Sequence, residues 1–375
     1  MGCEQPSWAN EAVGGHPHAS GVTRQEALRI FDLLYRKARR DMGGASTLGN
    51  TAVALRSAYE GSLIGGVAPH FWLEMPLLGE AHSDLHVSYD YEEMVPGARF
   101  APGAGFGYQA LFDWFCVHGT QHTGIDLTFD LVGDAVAAVG AYVSFHRARK
   151  VDFDGFCRAL GCPDDSWRCR AMADVFPPGW QVWYVSPFQG RKGNPVRAAA
   201  LATDKLQQRF AADPSLVREH LAHLGIASIP DELCRRVSEL ARLPLTLEWR
   251  VTMDAQGTML DRCDVSFYLS NTYMSLTDVR SCFGTGGAGT SALGLFEQWG
   301  IADERWHDVV AGAFAKGGPF RRDDGSVCTL VGVCSPSCFM MPWRQGAPLP
   351  AKVYPKMEAF FGGGDEGTTH SNRAV

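Results

Sequence analysis

Residues 243–271 read LPLTLEWRVTMDAQGTMLDRCDVSFYLSN, an antiparallel hairpin in which each strand has an oily face and a polar face. On the first strand Leu245, Leu247, Trp249, Val251 and Met253 share one side, and Thr246, Glu248, Arg250 and Thr252 share the other, because strand side chains alternate with period two. A turn at 254–257 follows. The second strand then sets Cys263, Val265, Phe267 and Leu269 against Arg262, Asp264, Ser266 and Tyr268. A polar face with two arginines and a tyrosine is either the solvated side of an open sheet or the wall of a closed barrel, where arginines meet an anionic ligand. The other hairpins decide between these.

Four more pairs repeat the pattern. Phe71, Leu73 and Met75 oppose His70, Trp72 and Glu74, and on the partner strand Leu85, Val87 and Tyr89 oppose Asp84, His86, Ser88 and Asp90. Ile125 to Leu131 alternate with Asp126, Thr128 and Asp130, and Val139 to Phe145 alternate with Gly140, Tyr142, Ser144 and His146. A third pair over 179–187 and 195–203 offers Tyr184, Ser186 and Arg197. A last pair over 327–343 and 351–361 aligns Lys352, Tyr354, Lys356 and Glu358. Helices are expected at 23–34 (with a Thr23–Glu26 capping box), 47–60, 108–117, 153–160, 166–174, 205–224 broken at Pro214, 230–242, 291–299 and 303–315. Strands grouped in adjacent pairs exclude a doubly wound parallel sheet. Ten antiparallel strands with helices over their oily faces predict an α+β fold: a closed ten-stranded barrel with the polar faces inward, wide enough for a ligand.

Composition bounds the rest. The chain has 375 residues, 46% hydrophobic and 20% charged, with a net charge of −7. That predicts a soluble globular protein and argues against a nucleic-acid or acidic-membrane binder. One domain over 23–362 is expected, with loose tails at 1–22 and 363–375. Eleven cysteines without a C-x-x-C pair, and no evident signal peptide, point to free thiols in a reducing, cytoplasmic setting. Met1-Gly2-Cys3 is close to an acylation signal, but Pro6 stands where Ser or Thr is needed. Asp126, Asp130 and Asp134 interrupt the longest apolar run, so no membrane span is expected.

The order of elements resembles that of the ABBA prenyltransferases, whose five α-β-β-α units form a ten-stranded barrel, over about residues 23–361. IPDELCRRV with the hairpin through Asp261-Arg262 to SFYLSN resembles bacterial aromatic prenyltransferases. GIDLTFDLVGDAVAAVGAYVSF is similar to a hairpin of the peptide-modifying members, and Ala351-Lys352-Val353-Tyr354 to the family's last-strand K-x-Y. The resemblance implies transfer of an isoprenyl group from an allylic diphosphate to an aromatic small molecule or peptide, by a monomer without membrane or nucleic-acid partners. It places Arg262 and Lys352 on the diphosphate, Tyr142, Tyr268 and Tyr354 around the allylic cation, and Glu74 as the base against the acceptor. Arg197 and Arg250 join the diphosphate set by lumen position alone. Gly140 and Ser144 stand where the family has a lysine, Arg197 sits in a run of alanines, and His86 replaces a metal-binding aspartate. No cofactor is required on this reading, and magnesium dependence stays open.

The chemistry suits those residue types. Leaving diphosphate needs fixed cations, the allylic cation needs π-faces, and the acceptor must lose a proton in a site closed to water. Taken singly, each has a plainer reading: an ion-paired strand arginine, or a tyrosine placed by β-propensity. Three other signals are weaker. G-x-G-x-x-G at 284–289 lacks the flanking parallel strands of a dinucleotide fold and reads as a loop over the barrel mouth. His82 and His86 on a strand lie roughly 13 Å apart, too far for one metal. Cys328, Cys334 and Cys338 read as small buried hydrophobes. The alternative to an enzyme is a barrel that binds an amphipathic molecule or peptide without catalysis.

Overall fold

The computed structural model describes residues 20–90, 97–100, 107–118, 124–144, 151–269 and 281–362. Ten strands form the wall: β1 His70–Pro76, β2 Asp84–Asp90, β3 Gly124–Val132, β4 Ala135–Val143, β5 Trp180–Pro187, β6 Val196–Ala202, β7 Leu245–Met253, β8 Met259–Leu269, β9 Val327–Arg344 and β10 Lys352–Gly362. Each pairs antiparallel with its neighbours in the chain, and β10 returns to β1. The remaining seam lies between β4 and β5. There Ser144 bridges Tyr184 in antiparallel fashion, the Ser186 hydroxyl donates to the Ala141 carbonyl at 2.5 Å, and the Tyr142 and Tyr184 rings stack at 4.7 Å. The sheet is therefore nearly closed into a barrel.

The alternation expected from sequence sorts inside from outside. Leu247, Trp249, Val251, Val265 and Phe267 are fully buried beneath the outer helices. Helix Asp204–Ala212 brings Phe210 flat against Trp249, with centroids 5.3 Å apart, and Trp180 joins them at 4.5 Å from Trp249. Each such side chain contributes about 1.5–3 kcal/mol on burial. The first helix, Arg24–Asp41, starts at the expected Thr23–Glu26 capping box and buries Ala27, Ile30, Phe31 and Leu34. Among the described residues, no helix is long and apolar enough to cross a membrane.

Several boundaries differ from expectation. Ser20–Val22 is a short strand paired with Gly66–Val67, just ahead of the first helix; residues 1–19 and 363–375, where the tails were expected, lie outside the described residues. The helix expected over 47–60 is two, Ala45–Leu48 and Ala52–Ser62, because Gly49 adopts a φ of 71°. The one expected over 303–315 ends at Ala311, and Phe314–Arg321 then runs as an extra strand along the first half of β9. Lys316, Gly317 and Gly318 gave it too little apolar alternation to be read as a strand. Phe145 and His146, expected to extend β4, fall outside the described residues.

Candidate active site

The lumen carries two charged clusters joined by aromatic side chains. On β7 and β8, Glu248 is fully buried. It pairs with the Arg250 guanidinium two residues on, accepts the Trp183 indole N–H at 2.5 Å, and accepts the Tyr268 hydroxyl at 3.3 Å. Arg250 also donates to the Tyr268 oxygen at 2.8 Å and lies 5.7 Å from the Tyr354 ring centre. Next along β8, Arg262 donates to Asp264 at 2.9 Å. Burial pushes the Asp264 carboxyl up, but Arg262 and Arg197 outweigh it and hold it below the usual range.

Arg197 on β6 is different. It meets no carboxylate among the described residues, and its buried Nε has no hydrogen-bond partner; the Nε of Arg262 is likewise buried and unsatisfied. Burial and the nearby Arg262 charge depress its pKa. Its guanidinium rests 5.0 Å from the Phe188 ring centre, and Arg191, paired with Asp130, lies 4.6 Å from the same ring. On the adjoining strand Arg344 stands directly opposite Arg262 in register. Like charges opposed across a ladder are unfavourable unless an anion joins them.

The second cluster sits on β10, β1 and β2. The Glu74 carboxylate pairs with Lys352 through one oxygen and with His86 Nε2 at 2.9 Å through the other. Burial raises its pKa, yet Lys352 and His86 prevail and hold it well below the usual carboxylate range. Asp84, the cross-strand partner of Glu74, goes the other way: burial and the Glu74 charge lift it to about 7. His86 meets Tyr354 edge-on at 5.7 Å, which links this cluster to Arg250.

Aromatic side chains line the wall between. Trp183 stands edge-on to both Tyr142 and Tyr268, at 6.4 and 6.3 Å, and to Tyr184 at 5.0 Å. Burial raises the pKa of Tyr142, Tyr268 and Tyr354 well above the ordinary phenol value, so all three stay neutral. Neutral phenols present electron-rich faces without adding charge.

Every residue expected at the site therefore borders one lumen, in a changed arrangement. Arg197 and Arg262 lie close together, each with an unsatisfied buried Nε; Arg262, Arg250 and Lys352 each have a carboxylate partner, and Arg197 has no ion pair among the described residues. The alternation did not reveal Trp183. A bulge between Val182 and Tyr184 inserts it into β5 and turns two consecutive aromatics inward. Glu248 and Asp84 were on the polar faces by period but carried no separate signal. Where a lysine was expected, a Cβ on Gly140 would lie 2.6 Å from the Phe188 ring and 2.9 Å from the Thr128 hydroxyl. The ring that supports Arg191 and Arg197 occupies that space.

Five ββ hairpins closed into one antiparallel barrel, with helices outside and the polar faces within, settle the architecture. It is the ABBA, or PT-barrel, fold. The chain is similar to the solved apo structure of prenyltransferase PriB, with a TM-score of 0.48 and 13% identity over 88% of this chain and 96% of that one. At that score and identity the likeness carries no chemistry across. No protein-family model and no curated protein matches the sequence.

Proposed function

We propose that this barrel transfers an isoprenyl group, such as dimethylallyl or geranyl, from its diphosphate to an electron-rich aromatic acceptor (an indole, a phenol or a peptide side chain) and releases diphosphate. The observation that carries the reading is Arg197: a guanidinium in an enclosed lumen, with no carboxylate in ion-pair contact among the described residues, beside a second arginine that also has a spare buried donor. A buried charge without a direct ion pair is costly, and an anionic ligand lowers that cost.

Arg197 and Arg262 then hold the diphosphate oxygens as the allylic C–O bond breaks, with Arg344 at the rim. Charge-assisted hydrogen bonds of this kind contribute about 1.5–3 kcal/mol each. The allylic cation lies against Tyr142, Trp183, Tyr268 and Tyr354, whose faces stabilise it while the closed wall keeps water away. Arg250 acts through its bond to Tyr268, fixing that ring. Glu74, an ionised carboxylate bound on both oxygens, accepts a hydrogen bond from the acceptor N–H or O–H and orients the ring. The reading needs no metal. His86, at the position of the family's metal-binding aspartate, is committed to Glu74.

A second reading is favoured by the pairing of Arg250 with Glu248 and Lys352 with Glu74. A lumen so neutralised suits a barrel that binds an amphipathic molecule without reaction. Incubation of the purified chain with labelled dimethylallyl and geranyl diphosphates and a panel of indoles, phenols and aromatic peptides separates the two. Prenyl transfer predicts acceptor-dependent diphosphate release with a matching mass gain. Ligand binding without release in any combination supports the binding barrel.

A further inference from the structure

Aromatic substitution releases one proton for every prenyl group transferred, and a closed lumen must dispose of it. Glu74 is poorly placed to keep it, because a proton on either oxygen would disrupt the pair with Lys352 or the bond with His86. Asp84 lies directly across the ladder from Glu74. Its Oδ1 accepts the Leu131 N–H at 2.7 Å, an amide released from the ladder by the register shift between Asp130 and Leu131. Its Oδ2 is 3.9 Å from His82 Nε2, a gap that one bridging water closes. The Asp84 side chain is 16% exposed and that of His82 is 43% exposed, so the line runs from the lumen wall to solvent. The Glu80 carbonyl lies 3.4 Å from His82 Nδ1, which favours a proton there and leaves Nε2 free to accept.

We propose that Asp84 takes the proton lost by the aromatic acceptor and that His82 delivers it to bulk water. The proposal rests on the prenyl-transfer reading and assigns a proton exit to that same site. An electron pair of the acceptor forms the new bond to the prenyl carbon, the acceptor C–H, N–H or O–H bond breaks, and the electron pair of that bond stays with the acceptor. The proton passes to an Asp84 oxygen, then to His82 Nε2, then to water or buffer. Diphosphate leaves with the pair of the allylic C–O bond, and nothing is oxidised or reduced. The charged groups facing Asp84 are Glu74 from β1, Lys352 from β10, Asp130 from β3 and His82 from the turn before β2. Burial and the Glu74 and Asp130 charges raise Asp84 to about 7, against the Leu131 amide and Lys352. A carboxylate titrating there is better matched to proton transfer than Glu74.

The test compares wild type with Asp84→Asn, Asp84→Glu and His82→Gln in turnover against pH, alongside a carboxyl titration by isotope-edited infrared spectroscopy. Wild-type kcat should rise with pH to a plateau with its midpoint near 7. Asp84→Asn should lower kcat about 100-fold, leave KM for the diphosphate unchanged and abolish the inflection; Asp84→Glu should restore much of both. His82→Gln should be slow in dilute buffer and recover with added imidazole. The infrared titration should show a carboxyl near 7 that is absent in Asp84→Asn and moves down in Glu74→Gln, a readout independent of turnover. Turnover in Asp84→Asn within about twofold of wild type with the inflection retained, or no carboxyl titrating near 7, overturns the proton route alone. A chain that transfers no prenyl group overturns the parent reading and the route with it.

Discussion

Arg197 and Arg250 both face the lumen from neighbouring strands, yet their replacement should have opposite consequences for stability. Arg250 neutralises a fully buried Glu248. Arg250→Met leaves that carboxylate unpaired and should destabilise the fold by about 3–5 kcal/mol, measured by denaturant unfolding. Arg197 acts on Asp264 only through its longer-range charge, and Asp264 keeps its ion pair with Arg262 when Arg197 is replaced. Arg197→Met should leave stability level or raise it while lowering kcat/KM for the allylic diphosphate by about 100-fold; a loss of stability equal to that of Arg250→Met would contradict this assignment. Asp84 gives a pH signature in stability as well. The folded chain keeps its proton up to about pH 7, while an ordinary aspartate releases it near 3.8. The folded state thus binds more protons across that window, and this component of stability is lost as pH rises through it. Asp84→Asn should therefore gain stability relative to wild type between about pH 4 and pH 8, and a constant gap would refute the raised pKa. None of this pairing was legible in sequence. Period two placed these side chains on one face, but which carboxylate meets which cation depends on distances between strands far apart in the chain.

At the level of elements, the hairpins were legible because one face of each is oily and the helices cover it. Leu245 to Met253 alternates without interruption, and the structure keeps that alternation. Strand β5 was legible only in part. A bulge adds one residue to a strand, and the period reading put Trp183 on the wrong side for want of that residue. The indole N–H then satisfies Glu248. Trp183→Phe keeps the ring but removes that donor, and should cost about 1–3 kcal/mol by thermal or denaturant unfolding. No change would mean that Arg250 and Tyr268 satisfy Glu248 without the indole. The lysine missing at Gly140 has a steric explanation, since Phe188 occupies the space. Gly140→Lys should displace the ring, destabilise by about 1–3 kcal/mol and weaken diphosphate binding through Arg197; a stable variant with full affinity would show that the ring yields freely. The strand Phe314–Arg321 escaped notice because glycine and proline dilute its pattern.

For the whole molecule, closure turns ten half-polar strands into one enclosed site. The count and order of hairpins carried that much in the sequence; the seam did not, because β4 and β5 meet through one isolated bridge, a serine hydroxyl and a pair of stacked tyrosines. Closure also concentrates the positive field of Arg197 and Arg262 in a wall shielded from water, where an anion gains most. Calorimetric titration with a non-ionisable allylic thiolodiphosphate tests this most directly. Wild type should bind one equivalent, and Arg197→Met should bind at least about tenfold more weakly while remaining folded. Absence of binding to wild type, or equal affinity in the variant, would contradict the account.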